Sequence, residues 1–424
     1  MQVPLVDTVQ GRGNHASGCP TAELEFMRSL IVYSGSLAQV PRQGGLTWLH
    51  LQFLLGLRRL GWEVLFLDRL EPEMCVDAAG QSATGEKSEN LRYFLKVMKE
   101  YGIDENTTGR NAHPTSNFSL SYNCGEKVFG VPREQVLERA AQADLLLNVM
   151  GYLNDEEILA LVRRRVFIDI APGFGQMWRD LGLHDAFQGH TDFVTLGRNI
   201  GRPDCAIPTC GLKWITMPQP VVLEHWPAHP LPTDGAFTSI GAWRGPNGPI
   251  DYNGHTYGLR VHEFRKFIGL PSLCPETRFE MALGIHPGDA KDIAMLREQG
   301  WSLVDPKVVC GGPTEYRDYI ARSKAEFMIP KQMYVDTNSG LLSDRSVYYL
   351  ASGRPVLARD TGIRDLYPTG EGLLTFSTLE EAAAGVEAIN RDYARHCRAA
   401  RELAVEFFDS DKVLAKLLSD LGVA

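Results

Sequence analysis

SLIVYSGSLAQVPRQGGLTWLHLQFLLGLRRLGWEVLFLD, Ser29 to Asp68, carries the pattern that decides the fold. SLIVYSGS is an apolar run rich in β-branched residues that stops at Gly35, and the loop after it ends in Gln43-Gly44-Gly45. From Leu46 apolar residues recur at helical spacing as far as Gly61, where WEVLFLD resumes a strand pattern. Strand, loop, helix and strand in that order make a unit of the parallel, doubly wound kind.

The alternation returns downstream with ADLLLNVMG, the helical EEILALVRR, RVFIDIAPG and DFVTLG. These strands end in Gly, Asn, Asp or Pro, where open parallel sheets place their ligand loops. Near Pro218 the pattern changes, because QPVVLEHWPAHPLPTDG is proline-rich and aperiodic, the composition of a linker. Beyond it the alternation restarts: strands AFTSIGAW, RFEMALGI, AEFMIP and PVLARD are interleaved with helices VHEFRKFIGL, DAKDIAMLREQG, TEYRDYIARS and RSVYYLAS. Leu379 to Leu421 is mostly helical. The expected division is a loosely held arm over 1–28, an α/β domain over 29–218, a linker over 219–234, a second α/β domain over 235–395 and a closing helix over 396–424.

Whole-chain quantities agree. At 424 residues the chain exceeds what one hydrophobic core supports. With 44% hydrophobic and 22% charged residues it is an ordinary globular protein. The 52 acids outweigh 43 bases for a net charge of -9, with no basic tract, so a nucleic-acid partner is disfavoured. The eight cysteines are scattered without Cys-x-x-Cys spacing, which reads as reduced thiols in a cytoplasm. Residues 1–28 lack the continuous apolar stretch of a secretion signal and no run of about 18 apolar residues occurs, so neither export nor a transmembrane segment is expected.

Two doubly wound domains make a cleft between the carboxyl ends of their sheets. The stretch SGLLSDRSVYYLASGRPVLARDTG, Ser339 to Gly362, lies on that edge. Asp344-Arg345-Ser346 opens its helix. Asp and Ser are capping residues there, and the same helix start offers free N–H groups to a phosphate.

GLLSDRSVYYLASGRPVLARDTG resembles the donor-binding segment of GT-B-fold glycosyltransferases, in which a Gly-containing loop leads into a helix ending in Ala-Ser-Gly-x-Pro-Val. Gly44-Gly45 is similar to the acceptor-side glycine loop of that fold, and HTDFVTLGRNIGRPDCAIPTCG, FTSIGAWRG and TGEGLLTF resemble segments of bacterial glycosyltransferase-like proteins. The resemblance covers most of residues 30–415. It implies two Rossmann-like domains facing across a cleft, a C-terminal helix crossing back, and sugar transfer from a nucleotide diphosphate-sugar to a small-molecule or cell-surface acceptor. A sugar-nucleotide epimerase and a non-catalytic nucleotide-sugar-binding protein are the alternatives. The helix carries Tyr348 where many such enzymes have a ribose-gripping glutamate, with Asp344 and Glu371 as substitutes.

In that chemistry negative charge builds on a departing diphosphate, and a metal ion or a helix N-terminus with Arg or Lys stabilises it. The Asp-x-Asp at Asp409-Ser410-Asp411 lies in the helical tail and reads as a helix start, so no metal or other cofactor is expected. Arg244 after FTSIGAW, Lys331 after AEFMIP and Arg345 are the diphosphate candidates. Ser339, Gly340, Asp344, Ser346 and Thr361 are expected to line the donor, with Gly44 and Gly45 facing them. For the acceptor base the candidates are Asp169, at the end of RVFID, and His190, before DFVTLG. His50 reads as an interface residue inside the first helix.

Overall fold

The computed structural model describes residues 29–104, 117–230, 234–245 and 247–423, and the expected arm over 1–28 lies outside them. The first sheet contains β1 (Leu30–Ser34), β2 (Glu63–Leu70), β3 (Phe118–Tyr122), β4 (Lys127–Gly130), β5 (Leu145–Val149), β6 (Arg165–Asp169), β7 (Asp192–Thr195) and β8 (Trp214–Thr216). Their spatial order is β4-β3-β2-β1-β5-β6-β7-β8. Neighbours run parallel except β3 and β4, which form an antiparallel edge pair. β1 is buried along its whole length. Ile31 and Tyr33 point into one apolar layer, Leu30 and Val32 into the other, so LIVYS reads as continuous rather than alternating.

The second domain builds β9 (Phe237–Ala242), β12 (Phe279–Gly284), β13 (Ser302–Val304), β14 (Ala325–Met328), β15 (Val356–Arg359) and β16 (Leu373–Phe376) into one sheet of order β13-β12-β9-β14-β15-β16. Every pair in it is parallel. A separate hairpin, β10 (Ile250–Tyr252) with β11 (His255–Tyr257), leaves this domain and reaches the first, where Tyr252 Oη donates to Asp180 Oδ2 at 2.7 Å. The two parallel, doubly wound sheets expected from the alternation are found.

Between the sheets, Val221, Val222 and Trp226 are buried. Val221 exchanges backbone bonds with Phe408 and Ser410, clamping the proline-rich stretch to the tail. The last helix, Ser410–Asp420, crosses back onto the helix Gly44–Arg59. Gly56 permits the approach, because a Cβ there would strike Leu414. Asp409 caps that last helix at Asp411 N, and Asp411 pairs with Arg59 at 3.1 Å, so the tail Asp-Ser-Asp serves the helix start and the crossing. Among the described residues no helix is long and apolar enough to cross a membrane.

Candidate functional site

In a parallel sheet a crevice opens at the carboxyl ends of the strands where their order reverses. In the second sheet that reversal falls between β9 and β14. A cavity of about 250 Å³ lies there. Ala242 and Arg244 bound it from the end of β9, Met328, Pro330 and Lys331 from the end of β14, and Asp344 and Arg345 from the helix Asp344–Ala351. Leu49, Ile170 and Leu196 of the first domain close the other wall, so the cavity belongs to the interdomain cleft.

Its polar lining is cationic. Arg345 is held by a buried ion pair, Nε to Glu326 Oε1 at 2.9 Å. Burial opposes its charge, and the Glu326 carboxylate more than restores it. Arg260 donates from Nη1 to the Ile240 carbonyl at 2.9 Å and forms no salt bridge with a carboxylate among the described residues. Gly241 makes room for it: any Cβ there would collide with the Arg260 guanidinium. Lys331 packs over the rings of Phe174 and Tyr334 at 4.5 and 5.5 Å. Burial and the Arg260 charge pull its ammonium down to about 8, against the pull of Asp169. Arg244 lies at the rim, its guanidinium 2.7 Å from Asp289. Ser343, at the cap of the adjoining helix, makes no side-chain cap bond, which leaves that first turn open to an anion.

A second chamber of about 430 Å³ shares Ala242, Asp344 and Arg345 with the first and is lined by Gly44 and Gly45. Gly44 N donates to the Cys310 carbonyl at 3.0 Å. A Cβ on Gly44 would strike the Gly312 carbonyl oxygen and Tyr316, so this glycine lets the first helix start directly against the second domain.

Gly44, Gly45, Arg244, Lys331, Asp344 and Arg345 therefore converge on the cleft, and other sequence candidates do not. Ser339 is fully buried, and its hydroxyl donates to the Tyr334 carbonyl at 3.0 Å. The Ser339 carbonyl accepts from Asn199 N of the first domain at 3.1 Å, and a Cβ on Gly340 would come within 2.8 Å of Asn199 Cγ. Thr361 is buried and donates to the Leu341 carbonyl at 2.8 Å. Ser339 and Gly340 thus meet the first domain at Asn199, and Thr361 braces their loop from within the second. Ser346 is likewise fully buried, its hydroxyl beside Glu326.

The two base candidates are also committed elsewhere. Asp169 is 2% exposed and accepts from Gln176 Nε2 at 2.7 Å, Thr195 Oγ1 at 2.9 Å and Ala171 N at 3.0 Å, which fixes the turn after β6. His190 precedes β7, at the strand end away from the cleft, with its ring nitrogens against Asn148 Nδ2 and the Phe187 carbonyl. Glu371 pairs with Arg395, remote from the cleft lining. Tyr348 stacks on Trp226 with ring centres 4.6 Å apart, which explains an aromatic residue at that position. His50 is buried between Tyr33 Oη and Ser36 N, and burial drops its pKa to about 3, in keeping with an interior role. Arg260 is the functional candidate that sequence reading missed; its signal was the glycine inside the strand FTSIGA.

With this geometry the neighbours are informative. HepE of Anabaena in complex with UDP superposes with a TM-score of 0.53 at 13% identity, over 94% of this chain and 100% of that one. The fold is that of GT-B glycosyltransferases. An alpha-glucosyltransferase in complex with UDP and a 13-mer DNA gives a TM-score of 0.57 at 12% identity, again over 94% of this chain and 100% of that one. No protein-family model matches this chain, and no curated protein matches it in sequence.

Proposed function

We propose that the protein transfers a sugar from a nucleotide diphosphate-sugar to a hydroxyl-bearing acceptor, with the diphosphate at the β9/β14 switch point. The observation that carries this reading is the cationic lining there, Arg244, Arg260, Lys331 and Arg345 against the single carboxylate Asp344, beside an uncapped helix start. Structural neighbours solved with UDP and with UDP-glucose support a uridine nucleotide as the first donor to try.

In the transfer the bond from the anomeric carbon to the diphosphate oxygen breaks, a bond to the acceptor oxygen forms, and the proton of the acceptor hydroxyl passes to the departing diphosphate. Charge growing on the diphosphate meets guanidinium and ammonium groups already in place, which is where preorganised electrostatics acts most strongly. Those groups supply the stabilisation without a metal in this reading. Asp344 is assigned a donor hydroxyl. Asp169 is assigned a positioning role, anchoring the turn against which Lys331 rests. The DNA of one neighbour is not extended to this chain, whose net charge is -9; a small molecule or glycan precursor is the acceptor proposed.

Incubation with a panel of nucleotide sugars, with and without cell extract, tests the reading. Release of a nucleoside diphosphate that depends on extract is expected. Conversion of the donor without any acceptor points to an epimerase, and an inert panel removes the transferase reading.

A further inference from the structure

The first sheet has a switch point of its own, between β1 and β5. A cavity of about 440 Å³ opens there and shares no lining residue with the cleft chambers. Its floor is apolar: Leu67 from β2 meets Val136 and Ile158 from the helices Arg133–Gln142 and Glu156–Leu161. Around that floor stand polar groups that form no hydrogen bond among the described residues: the hydroxyls of Ser34, Ser121 and Tyr152 and the amide of Asn154. Ser34 is 1% exposed, so its hydroxyl is sheltered from bulk water yet faces this space. The guanidinium of Arg69 has a buried Nε without a partner and only a 4.0 Å contact to Glu71.

Charge separates this cavity from the cleft. Asp68, Glu71 and Asp155 line it against Arg69 and Arg133. Arg133 is already bonded to Asp155 at 2.7 Å, so no free cationic cluster awaits a polyphosphate. Donors and acceptors of hydrogen bonds therefore surround an apolar floor and a tyrosine, with three carboxylates against two guanidiniums and no excess of positive charge. Such a lining satisfies hydroxyl groups at a ring's edge while its C–H face rests on apolar surface.

We infer that this cavity binds a neutral, hydroxyl-rich ring of pyranose size, at a site distinct from the diphosphate cleft. The inference does not rest on the transferase reading, because it needs neither a nucleotide nor turnover.

The test is saturation-transfer NMR on the full chain with neutral methyl pyranosides of glucose, galactose, mannose, N-acetylglucosamine, xylose and rhamnose, in the absence of nucleotide. At least one is expected to bind in the millimolar range, about 1–10 mM. Binding is expected to persist in saturating UDP, to weaken about tenfold or more in Ser121→Trp, which fills the cavity from a partly exposed position, and to fall several-fold in Asn154→Ala. Arg260→Gln is expected to leave it unchanged. Both cavity variants are checked for an unaltered melting temperature. Glycosylation of the bound pyranoside when a donor is added identifies the ring as the acceptor; binding without turnover identifies a separate ligand, and each supports the site. Displacement by UDP, binding that survives Ser121→Trp, or no binding up to roughly 50 mM overturns it.

Discussion

The ammonium of Lys331, carried on the second domain, stands 4.5 Å from the centre of the Phe174 ring of the first. Beside it a Cβ on Gly173 would meet Met333 Sδ at 2.6 Å, so the turn after β6 is in direct contact with the helix Gln332–Asp336 that follows β14. The cleft thus has a charged wall whose electrostatics depend on both domains. A cation over two aromatic faces in a partly buried site is stabilised by them, yet it still loses water.

That balance gives a pH dependence. Burial, reinforced by Arg260, holds Lys331 at about 8, and an incoming diphosphate favours the charged form. Donor affinity is expected to be full below that value and to fall as pH rises through it, by up to about tenfold per unit. Calorimetric titration of the nucleotide at pH 7, 8 and 9 measures this. Lys331→Arg is expected to flatten the profile, and a wild-type profile as flat as the variant's removes Lys331 from the site.

Ser346→Leu separates packing from binding. The sequence alone puts Ser346 at an accessible helix start, where a bulky residue weakens donor binding and spares the fold. Its burial beside Glu326 reverses that expectation. Overpacking is expected to cost about 1–3 kcal/mol of stability, read by urea unfolding, while the folded fraction keeps its nucleotide affinity to within a few-fold. A variant of wild-type stability that fails to bind nucleotide restores the direct-contact role.

Gly44 and Gly45 are adjacent, and their tolerance is expected to differ. At Gly44 a Cβ meets the backbone oxygen of Gly312, which cannot move without shifting a loop of the other domain. At Gly45 the nearest atom is Tyr316 Cε2 at 3.2 Å, a side chain that can give way. Gly44→Ala is expected to destabilise by roughly 1–3 kcal/mol and Gly45→Ala by less than about 1 kcal/mol. Thermal melts of the two single variants decide it, and equal losses contradict this reading of the interface.

The sheets were legible because long apolar runs such as LIVYS and EVLFL must be buried on both faces, and because each strand end is punctuated. The hairpins β3–β4 and β10–β11 were not, since short, partly exposed strands lack a continuous apolar run. Polar punctuation marks a chain that needs close approach without saying what approaches. At Arg345 that is the cleft; at Ser339 and Gly340 it is Asn199 of the first domain. Arg260 escaped notice because an arginine opening a helix resembles a solvated one, and only the packing against Gly241 shows otherwise.

The central claim is that a nucleoside diphosphate is held at the β9/β14 switch point by Arg260 and its neighbours. Titrating UDP, then the other common nucleoside diphosphates, into the wild type and Arg260→Gln tests it most directly. The account predicts that at least one nucleotide binds and that the variant binds it about tenfold to a hundredfold more weakly, a loss of roughly 1.5–3 kcal/mol for one charge-assisted bond, with an unchanged melting temperature. Wild-type protein that binds none of them, or a variant that binds as tightly as the wild type, would contradict it.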